Sequence, residues 1–237
     1  MIVVVGMAFE ARIASSLGVR VICGGDGKTL ESTLTHAMAA GSSGLVSFGV
    51  AGGIAPALKP GSCVIATSVI DHDRVHKADP RWSQRLARLI PGSVSGAILG
   101  VPEPIAEAET KQALHARTGA QIIDMESHVV ARAAAQHRVP FAAIRVVVDP
   151  AGRTIPRSAL AGSRPDGSID PVAVMRSLAR YPRDLLGLIR MSLDARAART
   201  ALVRGCDLLG PGLGLLDTPY APKGAIALDG EPAAVDA

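Results

Sequence analysis

The sequence predicts an α/β fold, a three-layer α/β/α sandwich around a mixed, mainly parallel central sheet. Three observations carry this. Short Val- and Ile-rich runs alternate with helical patterns along most of the chain. Several of those runs are continuously apolar, as strands covered on both faces are. A length of 237 residues with 48% hydrophobic content suits one large core better than two small ones.

Taken in order, Ile2–Val5 reads as the first strand and Val19–Cys23 as the second. Thr29–Ala40 is a helix that opens on a cap residue and stops at Gly41. Leu45–Val50 is a third strand, bounded by Gly44 and the Gly52-Gly53 pair, with Gly49–Gly53 expected as a turn. Strands follow at Cys63–Ile70, Gly96–Leu99, Gln121–Ile123 and Phe141–Val148. Between them, Glu107–Thr118 is a helix ending at Gly119. Glu126–His137 is another, with Val129, Val130, Ala133 and Ala134 on one face and Pro140 barring continuation. Asp170–Ala179 and Leu185–Arg204 are helical and rich in Ala, Leu and Arg. The expected division is a catalytic domain over 1–204 and a Gly/Pro/Leu-rich C-terminal tail or flap over 205–237.

Composition narrows the function classes. Aromatics are only 3%, which argues against a base-stacking nucleic-acid platform. The net charge is +4 with a pI near 9.2. Nine Arg and four Asp lie between Arg157 and Arg204, so that stretch carries the basic excess. A solvated helix face is the leading reading of that stretch; phosphate or an anionic membrane surface is the alternative. Cys23, Cys63 and Cys206 are too few and too scattered for a disulfide framework or a zinc site. The apolar start is too short for a signal peptide, and no run approaches the roughly 20 residues needed to span a bilayer. The expectation is a cytoplasmic protein, with the periphery of the inner membrane open.

Three motifs are set aside. Gly24-Gly25-Asp26-Gly27-Lys28-Thr29 has the end of a phosphate loop, but Ile22 stands where its opening glycine belongs. Asp71-His72-Asp73 with His76 has no second cluster at metal-ligand spacing, so no metal is expected. No Gly-x-Ser-x-Gly elbow occurs. What remains is a set of acids that each follow a strand: Glu10, then Asp124 and Glu126, then Asp149 before Pro150. In open α/β sheets ligands bind beyond the carboxyl ends of the strands, so parallel strands would bring these acids to one crevice. Capping of helix starts is the alternative, and it suits Glu126 best.

Three segments carry a resemblance. They are Gly6-Met7-Ala8-Phe9-Glu10, the run from Phe48 through Gly61, and Asp124-Met125-Glu126-Ser127 followed by Val139-Pro140-Phe141 and Arg145 through Asp149. Over residues 1 to 150 the chain resembles the purine nucleoside phosphorylase and methylthioadenosine/adenosylhomocysteine nucleosidase superfamily. Asp124 through His128, Arg153–Pro156, Asp166 through Asp170 and the Arg-rich stretch look like its hopanoid-associated branch, implicated in removing adenine from adenosylhopane. The resemblance implies a nucleoside phosphorylase-like fold, a homodimer and no cofactor. It implies that Asp149 protonates the purine and that Glu10, aligned with a one-residue gap, activates water. Met125 and Glu126 match the ribose-contacting pair, and Val50, Ala51, Gly52, Pro104 and Ile105 complete the expected substrate-binding residues. The chain departs from the pattern at Glu103, where nucleosidases place an aromatic against adenine.

These residue types fit the chemistry. Adenine leaves only once a ring nitrogen gains a proton, and a carboxyl in a dry crevice has a raised pKa and can supply it. A second carboxylate stabilises the oxocarbenium-like sugar and steers the nucleophile. Phosphorolytic relatives hold phosphate with arginines near the first turn and the glycine segment, where this chain has Glu10 and Ser47, leaving Arg12 and Arg145 as the available cations. Like charges about 4 Å apart cost on the order of 4 kcal/mol at an effective dielectric near 20, so hydrolysis leads over phosphorolysis. Methylthioadenosine or futalosine compete with adenosylhopane as substrate. A non-catalytic nucleoside- or lipid-binding module is the rival from another class.

Overall fold

The computed structural model describes residues 1–24, 27–164, 168–210 and 212–215. The elements run β1 (Ile2–Val5), α1 (Ala8–Ser15), β2 (Arg20–Cys23), α2 (Gly27–Ala39), β3 (Leu45–Gly53), β4 (Cys63–Asp71), β5 (Arg74–Lys77), α3 (Pro80–Leu89), β6 (Val94–Gly100), α4 (Ala108–Thr118), β7 (Ile122–Asp124), α5 (Ser127–His137), β8 (Phe141–Asp149), α6 (Arg157–Ala161), α7 (Pro171–Arg180) and α8 (Asp184–Leu209). The strands form one mixed sheet in the order β2-β1-β3-β7-β6-β4-β5, with β8 pairing both β3 and β4. Parallel pairings predominate: β1 with β2 and β3, β3 with β8, and β6 with β4 and β7. Because β8 bridges β3 to β4, the strands β3-β7-β6-β4-β8 close a ring of hydrogen bonds, and β1 and β2 extend it at β3.

Helices cover both faces, as the apolar runs require. Along β1, Ile2 and Val4 point to one side and Val3 and Val5 to the other. The first side packs under α2, through Leu30, Leu34, Ala37 and Met38 at helical spacing, and under α5, through Val129, Val130, Ala133 and Ala134. The second side packs under α1, α3 and the C-terminal half of α8, where Ala198, Leu202, Cys206 and Leu209 repeat every turn. That helix runs through Gly205, and Leu213 beyond it is buried with its carbonyl accepting from Trp82 Nε1 at 2.8 Å. Residues 216–237 lie outside the described residues, as do Gly25 and Asp26 of the glycine-rich turn and Pro165 to Gly167.

The structure departs from the sequence expectations at β5, α1, α3 and α6, which the apolar periodicity did not single out. Each is short and half-solvated; α3 buries only Trp82, Ser83 and Leu86, although Asp79 caps it by accepting from Trp82 N at 2.8 Å ahead of Pro80. A second departure concerns Gly49–Gly53, which is not a turn. β3 runs on to Gly53, pairing with β8 along its length and with β7 at Gly52 and Gly53. Its glycines make room instead of punctuating. A Cβ on Gly49, whose φ is 148°, would lie 2.6 Å from Glu10 Cδ, and one on Gly52 would lie 3.3 Å from Asp149 Oδ1.

Candidate active site

A cavity of about 290 Å³ opens where the segments after β1, β6, β7 and β8 meet the second half of β3. Glu10, Asp149, Met125, Glu126, Val50, Ala51, Gly52, Pro104 and Ile105 all line it. The crevice does not arise from parallel strand ends alone. β7 runs antiparallel to β3, and its carboxyl end reaches the same place because the ring curls it across. Val101, Ile123, Ile155, Leu160 and Met191 supply apolar wall, and no aromatic lines the cavity among the described residues. A second cleft of about 390 Å³ lies between β5 and α5, but its one carboxylate, Asp79, is spent capping α3.

Glu10 sits in the first turn of α1, almost wholly buried. Its Oε2 accepts from the Gly6 and Met7 N–H groups at 2.8 Å, and its Oε1 accepts from Val50 N at 2.7 Å. Burial pushes its pKa up, and Arg145 and the three N–H groups pull against that rise. The bare approach of Gly49 permits this geometry. Gly49→Ala is expected to destabilise the fold by about 1 to 3 kcal/mol and to lower activity by displacing the carboxylate. Gly41→Ala, at φ 81° with open space around it, controls for strain alone. Paired denaturant melts and rate measurements check this; full activity in Gly49→Ala would refute it.

Arg145 is fully buried in the middle of the apolar strand β8. Its Nη2 donates to Ser47 Oγ at 2.6 Å and to Glu126 Oε2 at 3.1 Å, its Nη1 donates to the Val50 carbonyl at 3.2 Å, and its Nε lies 2.7 Å from Asp124 Oδ2. Asp124 also accepts from Ser127 N at 3.1 Å and from Ser127 Oγ, whose oxygen lies 2.9 Å from Ser47 Oγ. Asp124 therefore serves the start of α5, while Glu126, at the cap position, turns its carboxylate to Arg145. The capping reading of Glu126 fails on that contact.

One guanidinium thus faces three carboxylates, the buried Glu10 and Asp124 and the mostly buried Glu126. Burial, reinforced by the neighbouring acids, raises Glu126 to about 7 against the pull of Arg145. Its folded-state pKa lies above its unfolded value of 4.5, so its contribution to stability is fully present below 4.5 and is lost as pH rises toward 7. Thermal melts across that range should show the loss, and Glu126→Gln should flatten it. A wild-type slope unchanged by the substitution would count against this assignment.

Asp149 ends β8 and is held by Lys111, which sequence analysis missed. The Lys111 side chain is fully buried, its Nζ donating to Asp149 Oδ2 and, at 2.9 Å, to the Arg153 carbonyl. Burial raises the Asp149 pKa, and Lys111 pulls it back. The signal was present: Lys111, Leu114, His115 and Thr118 share one face of α4, and a lysine stands where that face calls for an apolar residue. Arg145 has the same signature, a charge inside a covered strand. Arg12 is exposed and does not line the cavity. Of the Asp71-His72-Asp73 cluster, Asp71 at the end of β4 pairs with Arg132 at 2.8 Å, with His76 of β5 3.8 Å away.

No curated relative matches the chain in sequence. Among solved structures it is similar to the 5′-methylthioadenosine/S-adenosylhomocysteine nucleosidase of Helicobacter pylori, at 15% identity and a TM-score of 0.61 over 87% of this chain and 97% of that one. It is similar to a protein of Francisella philomiragia described as a putative nucleosidase of the same kind, at 16% identity and a TM-score of 0.62 over 87% and 95%. It is also similar to the futalosine hydrolase of Helicobacter pylori, at 15% identity and a TM-score of 0.58 over 86% and 95%. These likenesses establish a shared fold. The family model of the phosphorylase superfamily matches residues 5–175, most of the chain and every carboxylate of the cavity, and on that match this protein belongs to the phosphorylase superfamily.

Proposed function

We propose that this protein is a nucleosidase that hydrolyses the N-glycosidic bond of a purine nucleoside, with adenosylhopane as substrate and adenine and ribosylhopane as products. The observation that carries the hydrolytic reading is the Glu10 carboxylate, buried in a cradle of three backbone N–H groups on the cavity wall. Those donors would otherwise be a ready anion site, and Glu10 fills it with a charge that repels phosphate. Arg145 offers no rescue, since Asp124, Glu126 and Ser47 already surround its guanidinium. The names of the similar structures, nucleosidases and a futalosine hydrolase, support the same reaction class.

In this mechanism Asp149 gives a proton to a ring nitrogen of the base as the glycosidic bond breaks. Glu126, with Met125 beside it, receives the ribose hydroxyls. Glu10 orients a water toward the anomeric carbon and takes its proton, so that water adds to the sugar and the base departs protonated. Each positioned acid or base contributes about 10² to 10⁴ in rate. Lys111 and Arg145 hold the two ends of this arrangement without reaching the bond that breaks. The adenosylhopane assignment is supported by the branch-like residues Asp124 to His128 and by the apolar walls at Leu160 and Met191.

The test is chromatographic detection of base release from adenosylhopane and from methylthioadenosine, with and without phosphate. Adenine and free ribosylhopane in phosphate-free buffer are the expected products. Adenine only with phosphate, alongside a phosphoribosyl product, would make this a phosphorylase. Release from methylthioadenosine alone would overturn the substrate and leave the reaction.

A further inference from the structure

We propose that the arm formed by α6, α7 and the first half of α8 is a docking surface for an anionic lipid bilayer, placed at the mouth of the active-site cavity. The inference rests on the nucleosidase reading for what docking accomplishes; the surface itself is argued from its own residues.

The exposed large hydrophobic side chains of the described residues are concentrated on this arm. α7 buries no residue at all. Val172, Met175 and Ala179 lie on its outward face at helical spacing, with Arg176 and Arg180 among them. α8 continues the pattern, presenting Leu186, Ile189 and Leu193 with Arg190 among them and Arg196 one turn beyond, before its C-terminal half turns inward to the core. Leu186 is 67% exposed and Ile169, just before α7, 65%. Large apolar side chains left exposed together on consecutive helices mark an interaction surface more than isolated ones do.

The chemistry of the stripe selects its occupant. Apolar side chains that enter the headgroup boundary, flanked by arginines that meet lipid phosphate, are what an interfacial helix presents. Among the described residues, no ion pair engages Arg176, Arg180, Arg183, Arg190 or Arg196. A second copy of this face is disfavoured, because an isologous contact would oppose two arginine-rich surfaces across a dry interface. The arm also touches the site. Leu160 of α6 and Met191 of α8 line the cavity. A nucleoside carrying an apolar substituent could therefore seat its base and ribose in the cavity while its tail stays in the lipid.

Vesicle sedimentation tests this with the full-length protein, using phosphatidylcholine alone and phosphatidylcholine mixed with phosphatidylglycerol. The protein should sediment with the mixed vesicles, less so as salt rises. Leu186→Glu/Ile189→Glu and Arg176→Glu/Arg180→Glu should each weaken partitioning by about tenfold or more. None of these four residues lines the cavity, so hydrolysis of a soluble nucleoside should be unchanged, which also shows that the variants fold. Absence of sedimentation in an active wild-type protein would overturn the docking surface and leave the nucleosidase reading intact. So would variants that bind like wild type, or variants that only convert a dimer to a monomer by light scattering. Vesicle binding without base release from any nucleoside would instead sink the enzymatic reading and spare the surface.

Discussion

Asp149→Asn is expected to lower kcat/KM for base release by about 10² to 10⁴, because an amide can hold the ring nitrogen but cannot pass it a proton. Substrate should still bind. That outcome separates an enzyme from a binding module, for which base release never occurs in wild type either. The substitution has a structural cost as well. Lys111 is fully buried and loses its counter-charge, keeping only neutral acceptors, the Arg153 carbonyl and the new amide oxygen. Breaking a buried pair on one side costs about 3 to 5 kcal/mol. Adding Lys111→Met removes the stranded ammonium, so the double variant should recover stability without recovering activity. Thermal melts beside single-turnover assays read both quantities. Activity returning along with stability would show that Asp149 matters through the fold and not through its proton.

The second large effect is expected at Glu10. Glu10→Gln replaces an oxygen that accepts from the backbone with an NH₂ group, setting donor against donor at either Val50 N or the Gly6 and Met7 pair. If Glu10 is the water-activating base proposed above, hydrolysis should fall by about 10² to 10⁴. The pH profile gives an independent signature. A base works ionised, and burial raises the Glu10 pKa above 4.5, so wild-type kcat/KM should fall as pH drops through that raised value. The acid limb should then lie at higher pH than an ordinary glutamate would produce, and the residual activity of Glu10→Gln should lack it. If phosphate accelerates the variant strongly while wild type needs phosphate too, Glu10 is guarding a phosphate site and the hydrolytic assignment fails.

What could be read without coordinates follows a physical line. The covered strands β1, β3, β4 and β8 and the amphipathic helices α2 and α5 announce themselves because burial on one or two faces writes a periodic apolar pattern into the chain. The short elements α1, α6 and β5 do not, since each buries too little to leave a pattern; α3 does carry one, Trp82 and Leu86 one turn apart, but a single turn of it among charged residues is easily passed over. Acids after strands were legible as candidates because strand ends gather at one crevice, although one of them, Asp124, also serves the start of α5. Their partners were not. Lys111 is about 40 residues from Asp149 in the chain, and Ser47 about 100 from Arg145, and nothing local records either pairing.

The sequence by itself thus determined the fold class, the apolar strands and the acids that share the cavity, all of them properties of neighbours along the chain. The tertiary structure alone decided three things. It showed that β3 runs on through its glycines, with a register shift at Ala51/Gly52, and that Gly49 leaves the room in which Glu10 lies. It gathered three carboxylates around one buried guanidinium. It placed Lys111 against Asp149. Each depends on long-range pairing, β1 with β3 for Glu10 and the insertion of β8 between β3 and β4 for Arg145 and Asp149, which brings distant side chains into a water-poor space where charge is costly unless matched.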